Sequence, residues 1–272
     1  MCKLVVLSDL HLMASCDTGR DLGNHARLSA AIDRINTAYA DADLVVFAGD
    51  LVDRKDDRAA YADLKAALSD LVPPSVLTIG NHDTREVYRE VFAAGHCDEN
   101  GFVQSAHDLG ETRVIVLDSV SDLPAPAGFR GARDPGGQLC ETRLAWLDQK
   151  LTEAEGQPVI VVLHHPPLKL QITTDVMSLN DPDGLIDRLA SHGQVRQVLS
   201  GHIHMTTTAF HRGIPFTTIA GGFSTSGEDF GRAENKFRRE GPAQMAVVLS
   251  DTEQTTVHFD AYVDANPLVE SR

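Results

Sequence analysis

The sequence predicts a layered α/β fold. Short, continuous apolar runs rich in β-branched residues, such as residues 4–7 and 159–163, have the composition of strands buried on both faces. Between them lie stretches whose apolar residues fall three and four apart, the spacing of a helix with one buried stripe. Strand and helix patterns alternate over roughly the first 200 residues, the order that builds layered α/β structure.

The elements follow in chain order. A strand over 4–7 runs into "SDLHLM", and a helix over 25–40 is marked by Leu28, Ala31, Ile32, Ile35 and Tyr39. A strand over 44–47 stops at "GDLVDR", and the helix over 58–71 carries Tyr61, Leu64, Leu68 and Leu71 on one stripe. The strand over 76–79 ends in "GNHD" and is followed by a strand over 114–117. Residues 120–137, rich in Pro and Gly, read as a long loop. A helix over 141–151 and a strand over 159–163 lead to "HHPP". A helix over 183–193, with Gly193 as its C-cap, and a strand over 195–199 lead to "GHIH". Past about residue 205 the pattern turns all-β, with strands over 216–219, 245–249 and 255–263 and a polar, Gly-rich stretch at 221–242. The expected organisation is therefore a catalytic unit over 1–220 and a β-rich extension over 221–272, completing the sheet or serving as a cap or dimer contact.

The totals narrow the function. Of 272 residues 42% are hydrophobic, enough for a sizeable core, and 23% are charged. The net charge of −15 argues against a nucleic-acid polymer as partner, because the phosphate backbone would be repelled. A compact phosphate ester stays open, since a local cation overrides the global field. Cys2, Cys16, Cys97 and Cys140 are too scattered for a metal finger or a disulfide framework. The first apolar run is too short for a leader and no run is long enough to span a bilayer. A cytoplasmic protein with no membrane partner is expected.

Five expected strand ends carry the same chemistry. They hold Asp9 and His11, then Asp50, then Asn81, His82 and Asp83, then His164 and His165, then His202 and His204. Singly each is ordinary turn chemistry. In series, at the carboxyl ends of strands where α/β folds place their ligands, they predict one site. Carboxylate and imidazole hold divalent manganese, iron, zinc or cobalt, and no thiolate joins them. On an extended backbone Asp9 and His11 would face one side, as would His202 and His204. The Gly before Asp50, Asn81 and His202 is expected to let the chain turn sharply there.

Asp-x-His, "GDLVD", "GNHD", "HH" and "GHIH" in this order resemble the calcineurin-like metallophosphoesterase superfamily, over roughly residues 3 to 220. Within it, "HHPP", "GHIH" and the length look most like class III cyclic nucleotide phosphodiesterases and bacterial glycerophosphodiesterases. The resemblance implies a four-layer αββα sandwich and two divalent metal ions, manganese or iron favoured. One ion would be held by Asp9, His11, Asp50 and His204, the other by Asp50, Asn81, His164 and His202. It implies in-line attack of a bridging hydroxide, with His82 near the leaving group. Asp53 is either the carboxylate that orients His82 or the N-cap of the next helix. Arg54 either touches phosphate, as in the protein Ser/Thr phosphatases, or is a solvated loop residue. His165 is weighed as a supporting residue or a substrate contact, and Asn24 as a substrate contact. The implied activity is hydrolysis of small phosphodiesters. Cyclic 3′,5′-nucleotides such as cAMP lead, glycerophosphodiesters or another small phosphoester are the alternative, and a non-catalytic scaffold is the remote one. The pocket wall is expected in 12–25, 120–137 and 205–240, and a homodimer is possible through the β-rich end.

Overall fold

The computed structural model describes residues 1–14, 23–93, 95–128, 134–227 and 238–263. Cys16 and parts of the three expected wall segments lie outside the described residues.

The first half of the chain builds one sheet and its helices. Strand β1 (Cys2–Leu7) leads to helix α1 (Asn24–Ala38), β2 (Leu44–Ala48), α2 (Arg58–Leu68), β3 (Ser75–Thr78) and α3 (Arg85–Phe92). The second half begins with β4 (Ser105–Leu109) and β5 (Thr112–Leu117). It continues through α4 (Glu141–Glu153), β6 (Val159–Leu163), a 3₁₀ turn (Thr173–Met177), α5 (Asp183–His192), β7 (Val195–Ser200), β8 (Thr207–His211) and β9 (Ile214–Thr218). A short ribbon of β10 (Thr225–Ser226) and β11 (Arg238–Arg239) precedes β12 (Ala243–Ser250) and β13 (Thr255–Val263).

The strands form two main sheets, ordered β13-β12-β1-β2-β3 and β4-β5-β6-β7-β9-β8. Within them β1, β2 and β3 run parallel, as do β5, β6, β7 and β9. The apolar runs are continuous because each strand faces two cores. In β1, Val5 and Leu7 pack toward the helices α1, α2 and α3, while Leu4 and Val6 point the other way. That second face meets Val114, Val116, Ile160 and Val162 of the other sheet. The far face of the other sheet, with Ile115, Val161 and Leu163, packs on Trp146 and Leu147 of α4 and Leu189 of α5. The layers are therefore helix, sheet, sheet, helix: an αββα sandwich. Each fully buried Val or Leu contributes roughly 1.5–3 kcal/mol.

The chain past residue 242 is not peripheral. β12 pairs antiparallel with β1 over five residue pairs, from Cys2 with Ser250 to Val6 with Ala246. It therefore completes the interior of the first sheet, with β13 at its edge.

Several elements were not expected from the sequence, α3, β4 and β8 among them. α3, "REVYREVF", is short, and its buried Val87 and Tyr88 are hidden among charges; it is capped by the Thr84 side chain, which accepts from Val87 N at 3.4 Å. β4 and β8 are edge strands with half-exposed faces, so they lack a continuous apolar run. Gly193 sits where expected, at φ 74° just after α5.

Candidate metal centre

The five sequence motifs follow β1, β2, β3, β6 and β7, and the sandwich brings their ends to one edge. The backbone there is not extended. Asp9, His11, Asp50, His202 and His204 have φ of 56°, 43°, 49°, 73° and 51°. The same-side geometry expected for Asp9 with His11, and for His202 with His204, thus arises differently: each is a left-handed residue, not a step along a strand. Asp and His tolerate this region better than most residues, yet each such position costs about 1–3 kcal/mol and persists only where its surroundings hold it. They do hold it. Asp9 N donates to Gly49 O at 3.0 Å and His11 N to Asp50 O at 3.0 Å, while both Asp9 carboxylate oxygens accept from His202 N at 3.1 and 2.9 Å.

The glycines serve two purposes. Gly49 turns, at φ 89°. Gly201 instead permits close approach: a Cβ there would strike Ser8 Oγ and lie 2.5 Å from Asp9 Oδ2.

The polar tips converge. His11 Nε2 and His204 Nε2 are 3.1 Å apart, and His204 Nε2 is 3.3 Å from Asp9 Oδ1. Asp50 Oδ2 lies 3.5 Å from His11 Nε2 and 3.4 Å from His164 Nε2, so this carboxylate stands between two groups of nitrogens. His164 Nδ1 donates to Ala48 O at 2.9 Å, which turns Nε2 inward to within 3.3 Å of Asn81 Oδ1. The His202 ring lies 5.0 Å from that of His164.

Similarity to known proteins agrees with this geometry. The family model of the calcineurin-like phosphoesterases matches residues 2–206. The chain belongs to the calcineurin-like phosphoesterase family. It is 34% identical over 217 residues to a probable cyclic nucleotide phosphodiesterase of Rhodopseudomonas palustris, covering 79% of this chain and 76% of that one. It is 28% identical to a probable glycerophosphodiester phosphodiesterase of Arcobacter nitrofigilis over 94% of this chain and 91% of the relative. In architecture it resembles a dimetal phosphatase from Danio rerio, with a TM-score of 0.73, 96% of both chains covered and 15% identity, a likeness of fold alone.

This calcineurin-like phosphoesterase is a metal-dependent enzyme, and its residues fit divalent cations. With Nδ1 committed to Ala48 O, a neutral His164 would present a bare nitrogen lone pair to two oxygens, so positive charge is required there. His202 Nε2 is buried without a hydrogen-bond partner among the described residues. Burial, outweighing Asp53 and Asp50, lowers the His11 pKa. Burial, aided by His164, pushes His202 down to about 3. Burial opposes ionisation of Asp50, but His164, His82 and His11 outweigh it and hold its carboxyl well below the usual range. Burial also opposes protonation of His164, yet Asp50 raises it to about 9. Two carboxylates facing converging imidazole nitrogens are the donor set of a cation site.

Of the other sequence candidates, His82 is half-exposed at the rim, its ring 4.6 Å from that of His11 and its N–H donating to Asp50 Oδ1 at 2.8 Å. Burial lowers its pKa, but Asp50 and Asp53 outweigh that and raise it. Asp53 is not a helix N-cap; Asp57 fills that role for α2, accepting from Ala60 N. Arg54 is exposed, close enough to Asp53 for its charge to lower that carboxyl. Asn24 is buried, and Nδ2 donates to His11 O at 2.6 Å, holding a left-handed residue in place. His165 is fully buried with Nδ1 2.8 Å from Ser119 Oγ, which supports the cluster from behind.

Sequence reasoning named Asp83 only as part of a motif. Its buried carboxylate accepts from Leu51 N, Val52 N, Gly80 N and the Tyr61 hydroxyl at 3.1, 3.3, 2.8 and 2.6 Å. It ties the loop carrying Asp50 to the loop carrying Asn81. Burial and the nearby Asp50 raise its pKa to about 6. The position of Asp in "GNHD" was the available signal.

Proposed function

We propose that this phosphoesterase hydrolyses small phosphodiesters, with 3′,5′-cyclic nucleotides as the leading substrates, at two divalent cations. The observation that carries the reading is Asp50, whose carboxylate stands between His11 and His164. Asp9, His11, Asp50 and His204 would hold one cation; Asp50, Asn81, His164 and His202 would hold the other. Manganese or iron suits this mixed oxygen and nitrogen set. Bound there, such a pair supplies Lewis acidity toward the phosphoryl oxygens and lowers the pKa of water to near neutrality, about 7.

The remaining work falls to side chains. His82 Nδ1 donates to Asp53 O at 2.8 Å, which leaves Nε2 free to face the ester. Nε2 gives its proton to the departing alkoxide, and Asp50 and Asp53 favour the charged ring. Asn24 and Asp83 hold the ligand loops in register. Cys2, Cys97 and Cys140 are free, in keeping with the cytoplasm, and no helix among the described residues is long and apolar enough to cross a membrane.

The diester reading draws on the cyclic nucleotide phosphodiesterase relative. The glycerophosphodiesterase relative, aligned over more of the chain, favours a second substrate class at the same site. A panel on the manganese-reconstituted protein separates them: cAMP, its 2′,3′ isomer, glycerophosphocholine and a phosphomonoester. Highest kcat/KM on cAMP is expected. A preference for glycerophosphocholine would select the second reading, and turnover of the monoester alone would overturn both.

A further inference from the structure

We propose that Phe223 is the platform on which a planar ring of the substrate stacks, making this site selective for diesters that carry a nucleobase. The inference rests on the phosphodiesterase reading and deepens it.

Phe223 lies in the segment that leaves β9 and crosses over the ligand cluster. Its ring centroid is 5.0 Å from that of His11, tilted by 43°, and 6.2 Å from that of His204, nearly perpendicular at 88°. The ring is half-buried, so it packs against His11 while part of it stays open to solvent.

The platform is fixed before substrate arrives. Upstream, Gly222 N donates to Ser8 O at 3.0 Å, one residue before Asp9. Downstream, Ser224 Oγ is 3.4 Å from His204 Nδ1, and Ser226 N donates to His204 O at 2.7 Å. Phe223 is thus tied on both sides to the chain that carries Asp9 and His204, and its place relative to the phosphate site does not depend on a loop closing.

Chemistry supplies the selectivity. The surrounding site is built from carboxylates, imidazoles and an amide, which suit cations and phosphoryl oxygens. A hydrocarbon ring has no ligand atom for a divalent cation and no donor for a phosphoryl oxygen. It does offer a π-face and apolar area, which a purine or pyrimidine can use and an uncharged glycerol group cannot.

The test compares Phe223→Ala and Phe223→Tyr with the unaltered protein, using cAMP and glycerophosphoglycerol, which has neither a base nor a cationic head, as substrates. For Phe223→Ala, KM for cAMP is expected to rise roughly tenfold with kcat within about twofold. Its kcat/KM on glycerophosphoglycerol should fall far less than on cAMP, and that residual turnover also reports that the variant is folded and loaded. Phe223→Tyr should keep KM for cAMP near its starting value. Parallel losses on both substrates would overturn the proposal, showing that Phe223 only packs His11; so would no change on either. If the unaltered protein hydrolyses glycerophosphoglycerol and not cAMP, this inference fails while a diesterase stands. If it hydrolyses neither, the diesterase reading fails first.

Discussion

The main-chain carbonyl of Asp53, not its carboxylate, takes the hydrogen bond from His82 Nδ1: the first is 2.8 Å away, the second 4.0 Å. The carboxylate instead stands 3.5 Å from His11 Nδ1. One residue therefore sets two rings through two different groups, and its side chain can be altered without releasing His82.

Asp53→Asn should lower diester turnover by about tenfold through His11, the range seen when the partner of a ligating histidine is changed. The preference of the enzyme for activated over unactivated esters should change little, because His82 keeps both its carbonyl partner and the charge of Asp50. Kinetics on an aryl and an alkyl diester, with metal content measured alongside, check this. A change in that preference would return the carboxylate to His82.

His82→Ala should slow an alkyl diester by roughly 10²–10⁴ and an aryl diester far less, since a good leaving group needs little protonation. Comparing the two substrates on the same preparation is the measurement. Equal losses would remove His82 from the leaving-group role.

Asp50→Ala should cut turnover by on the order of a thousandfold, several kcal/mol of charge stabilisation, and reduce bound metal. Part of the loss would come from the rim, because Asp50 Oδ1 also accepts from His82 N at 2.8 Å. EDTA should abolish activity, with manganese or iron(II) restoring it. Added metal at about 100 times its dissociation constant should stabilise the native state by roughly 2.7 kcal/mol, visible as a higher melting temperature.

Gly201→Ala places a methyl group against Ser8 Oγ and the Asp9 carboxylate. A cost of about 1–3 kcal/mol in stability is expected, with metal occupancy falling as well. Thermal melts and metal analysis report the two effects. A variant as stable and as fully loaded as the parent would show that the close approach at Gly201 is unimportant.

Much of this was legible because cation sites dictate residue type. Asp9, His11, Asp50, Asn81, His164, His202 and His204 could be singled out, since carboxylates and imidazoles seldom follow five buried runs in one chain. The double-faced burial of 4–7 and 159–163 was equally plain, because a strand between two cores has no polar positions to confuse it. What escaped depends on three-dimensional relations. The left-handed backbone of Asp9 and His11 leaves no mark in residue order, since the same letters suit a straight strand. Asn24 was placed toward substrate, yet its amide serves His11 O, a main-chain partner that no side-chain pattern announces. The service Asp53 gives His82 comes from a carbonyl, which every residue has. α3 was hidden by its charges, and Phe223 lay in a Gly- and Ser-rich stretch that reads as loop.

The position of β12 beside β1 has a further consequence, for folding. Strand β1 acquires its second neighbour only when residues 243–250 are present. Asp9 and His202, 193 positions apart, meet only when the second sheet, which carries β7, packs on the first. Such distant pairings are entropically slow to close, so high contact order is built into the active centre itself. Asp9 and His11 meet Asp50 early in synthesis, but the cluster stays open until the chain has reached His202 and His204.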